Sequence, residues 1–245
     1  NGSVTPTHNY SLTITLTTDD LNKLKRYPSL ATEAANTFVS LEAFAVTDVV
    51  FGRSVVSATV QASVVVNDTI QPEVTSFAVD MDNGTLTLEF SETVNVSTFD
   101  PTALVLLGGN GSSLGFRLTG GTTFGGDIQS TPLLTATVFS VKLVTSDLNT
   151  LTQTLGLVED QATSWLNVSD ALVSDMSGNA NVVISSANAL QAANFTTDTT
   201  SPRLVSYTLN MNLSTRAEMT LVFSETIDVT SINLTTLTFY SNQSA

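Results

Sequence analysis

Eleven asparagines in this chain stand two residues before a Ser or Thr: Asn1, Asn9, Asn67, Asn83, Asn95, Asn110, Asn167, Asn194, Asn212, Asn233 and Asn242. Asn-x-Ser/Thr is the acceptor pattern for an N-linked glycan. The chain has 18 Asn and 68 Ser plus Thr among its 245 residues. Chance alone would then write about five such triplets. Some of the eleven therefore come free with a Thr-rich composition, and the excess points to real glycosylation. Asn83, Asn110 and Asn212 sit in turn-like stretches, where a bulky sugar can leave the surface. Sugars would also place the chain on a eukaryotic secretory route and blunt exposed strand edges.

Carboxylates are the second chemical feature. Asp80, Asp82 and Asn83 cluster in one stretch, Asp175 and Asn179 in another, and Asp68 and Glu92 lie near the 68–72 linker. Calcium asks for several such oxygens at once. No EF-hand spacing is present, and the later stretch that resembles 74–83 carries Asn210 and Asn212 instead of acids. Turn formation by Asp and Asn explains the pattern. No cofactor is expected beyond the glycans, with calcium kept as the alternative.

Catalysis finds little support. There is one histidine, His8, and no cysteine. Ser–His–Asp chemistry would have to use that histidine. Glu92 and Glu225 recur in register, as framework residues do; a glycosidase pair is not expected in every copy of a repeat. Trp165, the one tryptophan, aligns with Phe38 and reads as core. The chain is not expected to be an enzyme.

Composition sets the frame. Hydrophobic residues make up 42% of the chain and charged ones 12%, so it has a core and a largely neutral polar surface. Net charge is −14 with eight Lys and Arg, which excludes the basic footprint of a nucleic-acid binder. No apolar run approaches the ~20 residues of a membrane-spanning helix. The opening "NGSVTPT", without Met, is expected of a processed product or a segment of something longer.

The chain also says the same thing twice. Phe90–Leu106 reads "FSETVNVSTFDPTALVL" and Phe223–Phe239 reads "FSETIDVTSINLTTLTF". "DDLNKLK" at 19–25 returns as "SDLNTLT" at 146–152, and "NTFVSLEAFAVTD" at 36–48 as "TSWLNVSDALVSD" at 163–175. The blocks keep their order, which argues against chance. The unit is about 130 residues. Residues 68–197 form one copy, residues 1–67 the back half of an earlier copy, and residues 198–245 the front half of a later one. The segment 113–127, "SLGFRLTGGTTFGGD", has no counterpart in the outer pieces and reads as one strand and a Gly-rich turn.

Each unit must position these residues on strands. Leu86, Leu88 and Phe90 alternate with Thr85, Thr87 and Glu89, the period of a half-buried strand, and Met219, Leu221 and Phe223 repeat it. Further strands are expected at 73–80, 103–107, 114–119, 136–144, 163–169 and 187–196. Seven or so short strands per unit make an all-β two-sheet sandwich. One helical turn is expected at 19–26, capped by Thr18, and one at 147–155, capped by Ser146. Asp-x-x-x-Pro at 68–72 and 198–202 reads as a stiff linker.

"DTTSP", "LVSYTLN", "MTLVFSETIDVTSIN" and "LVSDMSGNA" resemble bacterial Ig-like tandem repeats of surface-layer and adhesin proteins. They are similar also to long extracellular repeats of single-celled eukaryotes. The resemblance spans the chain but rests on framework motifs. The first copy departs from the D-x-x-G-N turn, reading "VTDVVFGRS" at 46–54. The resemblance implies an extracellular or cell-surface Ig-like β-sandwich and no particular chemistry.

These readings converge on a structural glycoprotein: a segment of a filament or surface stalk whose partners are copies of itself, head to tail. The alternative is an adhesin module that grips a carbohydrate or protein. Endoglycosidase treatment of the secreted chain should lower its intact mass by several glycans, and an unchanged mass would remove the glycoprotein reading.

Overall fold

A strand covered on one face buries every second side chain. Thr85 to Phe90 follow that rule: Leu86, Leu88 and Phe90 are buried, Thr85 and Thr87 half-buried and Glu89 exposed. The computed structural model describes residues 2–8, 10–130 and 133–241, with backbone alone at 6–8. Asn1, Asn9, Asn242 and the side chain of His8 lie outside this description. The fold is predominantly β.

The leading segment holds a hairpin, β1 (Ser3–His8) and β2 (Ser11–Thr15), then helix α1 (Thr18–Lys25), then a second strand pair, β3 (Phe38–Leu41) and β4 (Ala58–Gln61). The middle segment holds β5 (Val74–Asp80), β6 (Thr85–Asn95), β7 (Leu104–Leu107), β8 (Gly115–Arg117), β9 (Gly121–Phe124) and β10 (Thr135–Leu143). Helix α2 (Thr145–Gln153) follows, then β11 (Trp165–Val168), β12 (Ser174–Asp175), β13 (Leu190–Gln191) and β14 (Asn194–Thr196). A last hairpin pairs β15 (Leu204–Asn210) with β16 (Glu218–Phe223).

The middle segment forms two sheets. One has the order β14-β5-β6-β10-β9, with β12 also on β6; the other is β13-β11-β7-β8. β14 runs parallel to β5, and the other pairs are antiparallel. A single buried cluster draws on both: Phe77, Leu86, Leu88 and Phe139 from the first sheet, Leu104, Leu106 and Leu166 from the second. Phe139 stacks on Phe90 at 5.4 Å and meets Phe99 edge-on at 5.2 Å. Among the described residues, every buried apolar side chain falls between Pro72 and Ala192. Two of the buried polar groups there are satisfied by the backbone: Asp147 accepts from Thr119 N at 2.7 Å, and Asn181 accepts from Val173 N and donates to the Ser169 and Val182 carbonyls, whereas the buried Thr135 hydroxyl has no partner.

The flanking elements copy middle-segment geometry while lacking its cover. β5–β6 aligns Val74 with Phe90 and Asp80 with Thr85, with one irregularity between Val74 and Ser76. β15–β16 aligns Leu204 with Phe223 and Asn210 with Glu218, with its irregularity between Leu204 and Ser206. Ser91 Oγ accepts from Glu73 N in the first hairpin, and Ser224 Oγ from Arg203 N in the second. The leading segment matches later elements in the same way. β3 aligns Phe38 with Gln61, and β11 aligns Trp165 with Gln191. Gln61 donates to the Ala34 carbonyl, and Gln191 to that of Gln161. Ala31 and Val158 both take a left-handed backbone, at φ 59° and 58°. Two β-branched or methyl-bearing residues in that region mark a turn that tertiary context enforces.

Several expectations need correcting. Both helices run two turns rather than one and start earlier. Thr17, not Thr18, caps α1, its side chain accepting from Asp20 N; Val144 precedes α2 with no side-chain cap, so Ser146 is not the cap. Propensity alone did not fix these starts, because packing against a strand decides where the last extended residue sits. The expected strand at 187–196 is two, β13 and β14, in different sheets. The 113–127 segment contains two strands, β8 and β9, rather than one. Trp165 is half-buried, its indole N–H donating to the Ala162 carbonyl, and Phe38 is exposed.

Burial contrast at equivalent positions generates a prediction. Leu88→Ala empties a fully buried site and should cost about 2–5 kcal/mol. Leu221→Ala, at the matching place in β16, should cost under ~1 kcal/mol in dilute monomer, because its face lacks cover. Denaturant midpoints of the two variants check this; equal losses would show that the last hairpin is covered after all.

Candidate functional site

Helix α1 carries the groups that join the leading segment to the middle one. Asp19 and Asp20 lie in its first turn and Lys23 and Lys25 in its last, the arrangement that complements the helix dipole. From the body of the helix, Asn22 Oδ1 accepts from Thr93 N at 3.2 Å, and its carbonyl accepts from Thr93 Oγ1 at 3.0 Å. From its last turn, the Lys25 ammonium lies 2.6 Å from Asp68 and donates to Glu92. Arg26, next along, forks onto Asp127, reaching its carboxylate and its backbone carbonyl.

β6 presents Glu92 and Thr93 here because it is irregular at this point. Its register against β10 breaks between the Val94 and Glu89 pairs, so Glu92, Thr93 and Val94 are buried in succession instead of alternately. The short β12 pairs Asp175 with Val94 and brings a third acid beside Glu92. Asp68, Glu92 and Asp175 each place a carboxylate oxygen within 4.8 Å of the others. That is a spacing a divalent cation accepts. The Lys25 ammonium contacts two of the same oxygen-bearing groups, so the two cations would compete for one place.

The titrations follow from this crowding. Burial pulls the Lys25 ammonium down, but its bonds to Asp68 and Glu92 outweigh that and hold it above the ordinary 10.5. Burial pushes Asp68 up, and the Lys25 bond with the Ile70 N–H overcomes it, leaving Asp68 low. Glu92 goes the other way: burial raises it, Lys25 lowers it, and the charges of Asp68 and Asp175 leave it high. One ammonium cannot neutralise three acids, and the most desolvated partner of Lys25 takes the penalty. Asp127 is pushed up by burial and pulled further down by Val138 N–H, Thr137 and Arg26.

A second junction of like design joins the middle segment to the last hairpin. Asn149 of α2 accepts from Thr226 Oγ1 at 2.9 Å; Asn149 stands in α2 where Asn22 stands in α1, and Thr226 follows Ser-Glu as Thr93 does. Its charges differ. Thr152 occupies the place of Lys25 and contacts Thr226. Asp82 ties down the connecting segment, accepting from the Thr199 and Thr200 amides, which hold its carboxyl low. Glu225 is driven high by loss of solvent and by neighbouring Asp198 and Asp82. These groups line a cleft with Asn149, Arg203 and Asp228.

The acids singled out in sequence divide accordingly. Asp80 accepts from Asn83 N and Nδ2, and Asp175 from Ser177 N and Asn179 N, so both are turn-builders. Asp68, Glu92 and Asp175 meet, which their separation in sequence did not suggest. Lys25, Asn22, Arg26 and Asp127 were not foreseen; the signal was the paired recurrence of Asn22/Asn149 with Thr93/Thr226. Of the glycan acceptors, Asn67, Asn83, Asn110, Asn194, Asn212 and Asn233 are exposed, and Asn95 and Asn167 are half-buried.

No family model and no curated protein matches the chain. Two solved structures are similar to it over 58% of its length. One is a crystal structure of the S-layer protein rSbsC(31-844), 18% identical, with a TM-score of 0.31 and 16% of that chain covered. The other is a crystal structure of the N-terminal part of the bacterial S-layer protein SbsC, 19% identical, with a TM-score of 0.29 and 27% of that chain covered. The chain thus spans under a third of either one.

Removing the ammonium tests the junction. Lys25→Met leaves three facing carboxylates and should lower the hydrogen-exchange protection of α1 by about 3 kcal/mol at pH 7. Because Glu92 has a folded pKa above its unfolded one, its stabilising contribution is full below about 4.5 and fades as pH rises through the folded value. The variant's deficit should therefore shrink at pH 4. In the parent chain Lys25's contribution holds below 10.5 and is lost as pH rises through its elevated folded pKa. EGTA should leave melting unchanged; a large fall would instead favour a divalent cation at Asp68, Glu92 and Asp175.

Proposed function

We propose that this chain is a structural segment of an extracellular or cell-surface repeat glycoprotein. In this reading residues 1–67, 68–197 and 198–245 are the back half, the whole and the front half of successive immunoglobulin-like sandwich units. The units join head to tail. The observation that carries the reading is the junction made twice in one chain, Asn22 with Thr93 and Asn149 with Thr226. A contact that recurs between one unit and the next and does not close on itself propagates into a filament.

The matched registers of β5–β6 and β15–β16 support the same unit being used again. Exposed Asn67, Asn83, Asn110, Asn194, Asn212 and Asn233 are suited to carry glycans along such a filament, where they would keep lateral faces apart. A net charge of −14 adds to that separation. The role asks for a repeating mechanical contact and no reacting group.

Concentrated, glycosylated chain examined by electron microscopy and sedimentation should show linear particles that lengthen with concentration. A discrete monomer at all concentrations would remove the assembly reading.

A further inference from the structure

We propose that the joint between the middle segment and the last hairpin is a proton-operated latch, closed when Glu225 and Asp198 hold a proton between them and slack when both are charged. The latch lies within one chain, so it does not depend on assembly between copies.

A comparison of the two junctions carries the inference. They place matching acids in matching places. Asp198 opens the second Asp-x-x-x-Pro stretch as Asp68 opens the first, and Glu225 stands in Ser-Glu-Thr where Glu92 does. At the first junction the Lys25 ammonium joins the two acids, 2.6 Å from Asp68 and bonded to Glu92. At the second, the α2 residue at that place is Thr152, and its hydroxyl contacts Thr226 instead. The acid pair is kept and its cation is lost.

Nothing around Glu225 replaces that cation. Its Oε1 is closed off from water and no donor reaches it. The linker brings Asp198 against it, the β5–β6 turn brings Asp82, and its own hairpin adds Asp228 and Arg203 to the same cleft. Helix α2 lines that cleft with uncharged side chains, Asn149 and Thr152 among them. Among the described residues Arg203 makes no ion pair with any of these acids. A dehydrated carboxylate without a donor is unfavourable while it is charged. Two carboxyls in contact are favourable when one keeps its proton, which then bonds them together. Loss of solvent, then Asp198, then Asp82 hold the Glu225 carboxyl above its ordinary range, so it is the one that takes the proton.

The other acids of the cleft bound the working range from below. Asp228 is held low by the Thr230 hydroxyl and amide. Asp82 accepts from the amides and hydroxyls of Thr199 and Thr200, bonds that need its charge. Its folded value lies below the usual 3.8, so its contribution is full above 3.8 and is lost as pH falls through the lower folded value. The contribution of Glu225 runs the opposite way: it is full below 4.5 and is lost as pH rises through the higher folded value. Both are full together only in a narrow band, about pH 4. Above it the latch slackens, because no ammonium takes over from the departing proton.

Hydrogen exchange on the dilute full chain tests this, in EGTA so that no divalent cation stands in for the ammonium. The readout is the protection of the Thr199 and Thr200 amides, corrected for the intrinsic pH dependence of exchange. Protection should fall about threefold or more between pH 4 and pH 7. Glu225→Gln keeps the shape without the charge, and its protection should stay near the acid level at both pH values. Thr152→Lys restores an ammonium at the place of Lys25 and should raise protection at pH 7 to about the acid level. Unchanged protection of the β6 amides in both variants verifies that the middle segment is intact. Equal protection of the parent at both pH values would overturn the latch, as would a Glu225→Gln variant that keeps the parent's pH dependence. Thr152→Lys protection no higher than the parent's at pH 7 would overturn the role given to the missing ammonium.

Discussion

A two-stranded hairpin cannot bury its own apolar face. Both its strands lie in one layer, and the face they share needs a second layer to exclude water. The whole chain is organised by that constraint. In the middle segment β5 and β6 meet it: β10 and β14 extend the sheet, and β7 and β11 supply the opposite layer, so Phe77, Leu86 and Leu88 are almost wholly removed from solvent. The outer hairpins have the same registers and the same alternation, with partly exposed side chains in place of buried ones. Their local structure does not depend on cover, but their burial does.

The junctions are a different kind of contact. They are small, polar and specific: a helix Asn beside the Thr of a Ser-Glu-Thr strand end. Such bonds add little net stability each, but leaving one donor or acceptor unmatched costs more than making it gains. They set orientation more than they set affinity. The two junctions share the Asn–Thr contact and differ in charge. At the first, Lys25 balances part of the acid from Asp68, Glu92 and Asp175. At the second, Thr152 stands in its place and Glu225 faces Asp198 and Asp82 without an ammonium from the helix. The first junction is thus held partly by charge, while the second relies on hydroxyls and the backbone amides that Asp82 caps.

Much of the fold was legible in the sequence because its signals are local. Alternation at 85–90 places Leu86 and Leu88 inward whatever lies opposite. The Asp-x-x-x-Pro stretches mark where pairing stops, since proline lacks the donor and fixes φ. The duplicate blocks announce that elements recur. Even the helices were visible from Leu spacing, though not their first residues, because a cap depends on which extended residue the neighbouring strand releases. The split of 187–196 into β13 and β14 was hidden for a related reason: one short apolar run can serve two sheets, and only the positions of β11 and β5 decide where it changes sides.

By itself, then, the sequence determined what repeats at short range: strand period, turn positions and the acceptor triplets, together with a composition that holds no thiol. Tertiary structure alone decided which distant groups meet. Asp68, Glu92 and Asp175 are far apart in the chain, and nothing in their spacing says that an irregularity in β6 and the two-residue β12 will bring them to Lys25. Register across strands is set by the summed packing of both faces, a property of pairs and layers that no single stretch of residues contains.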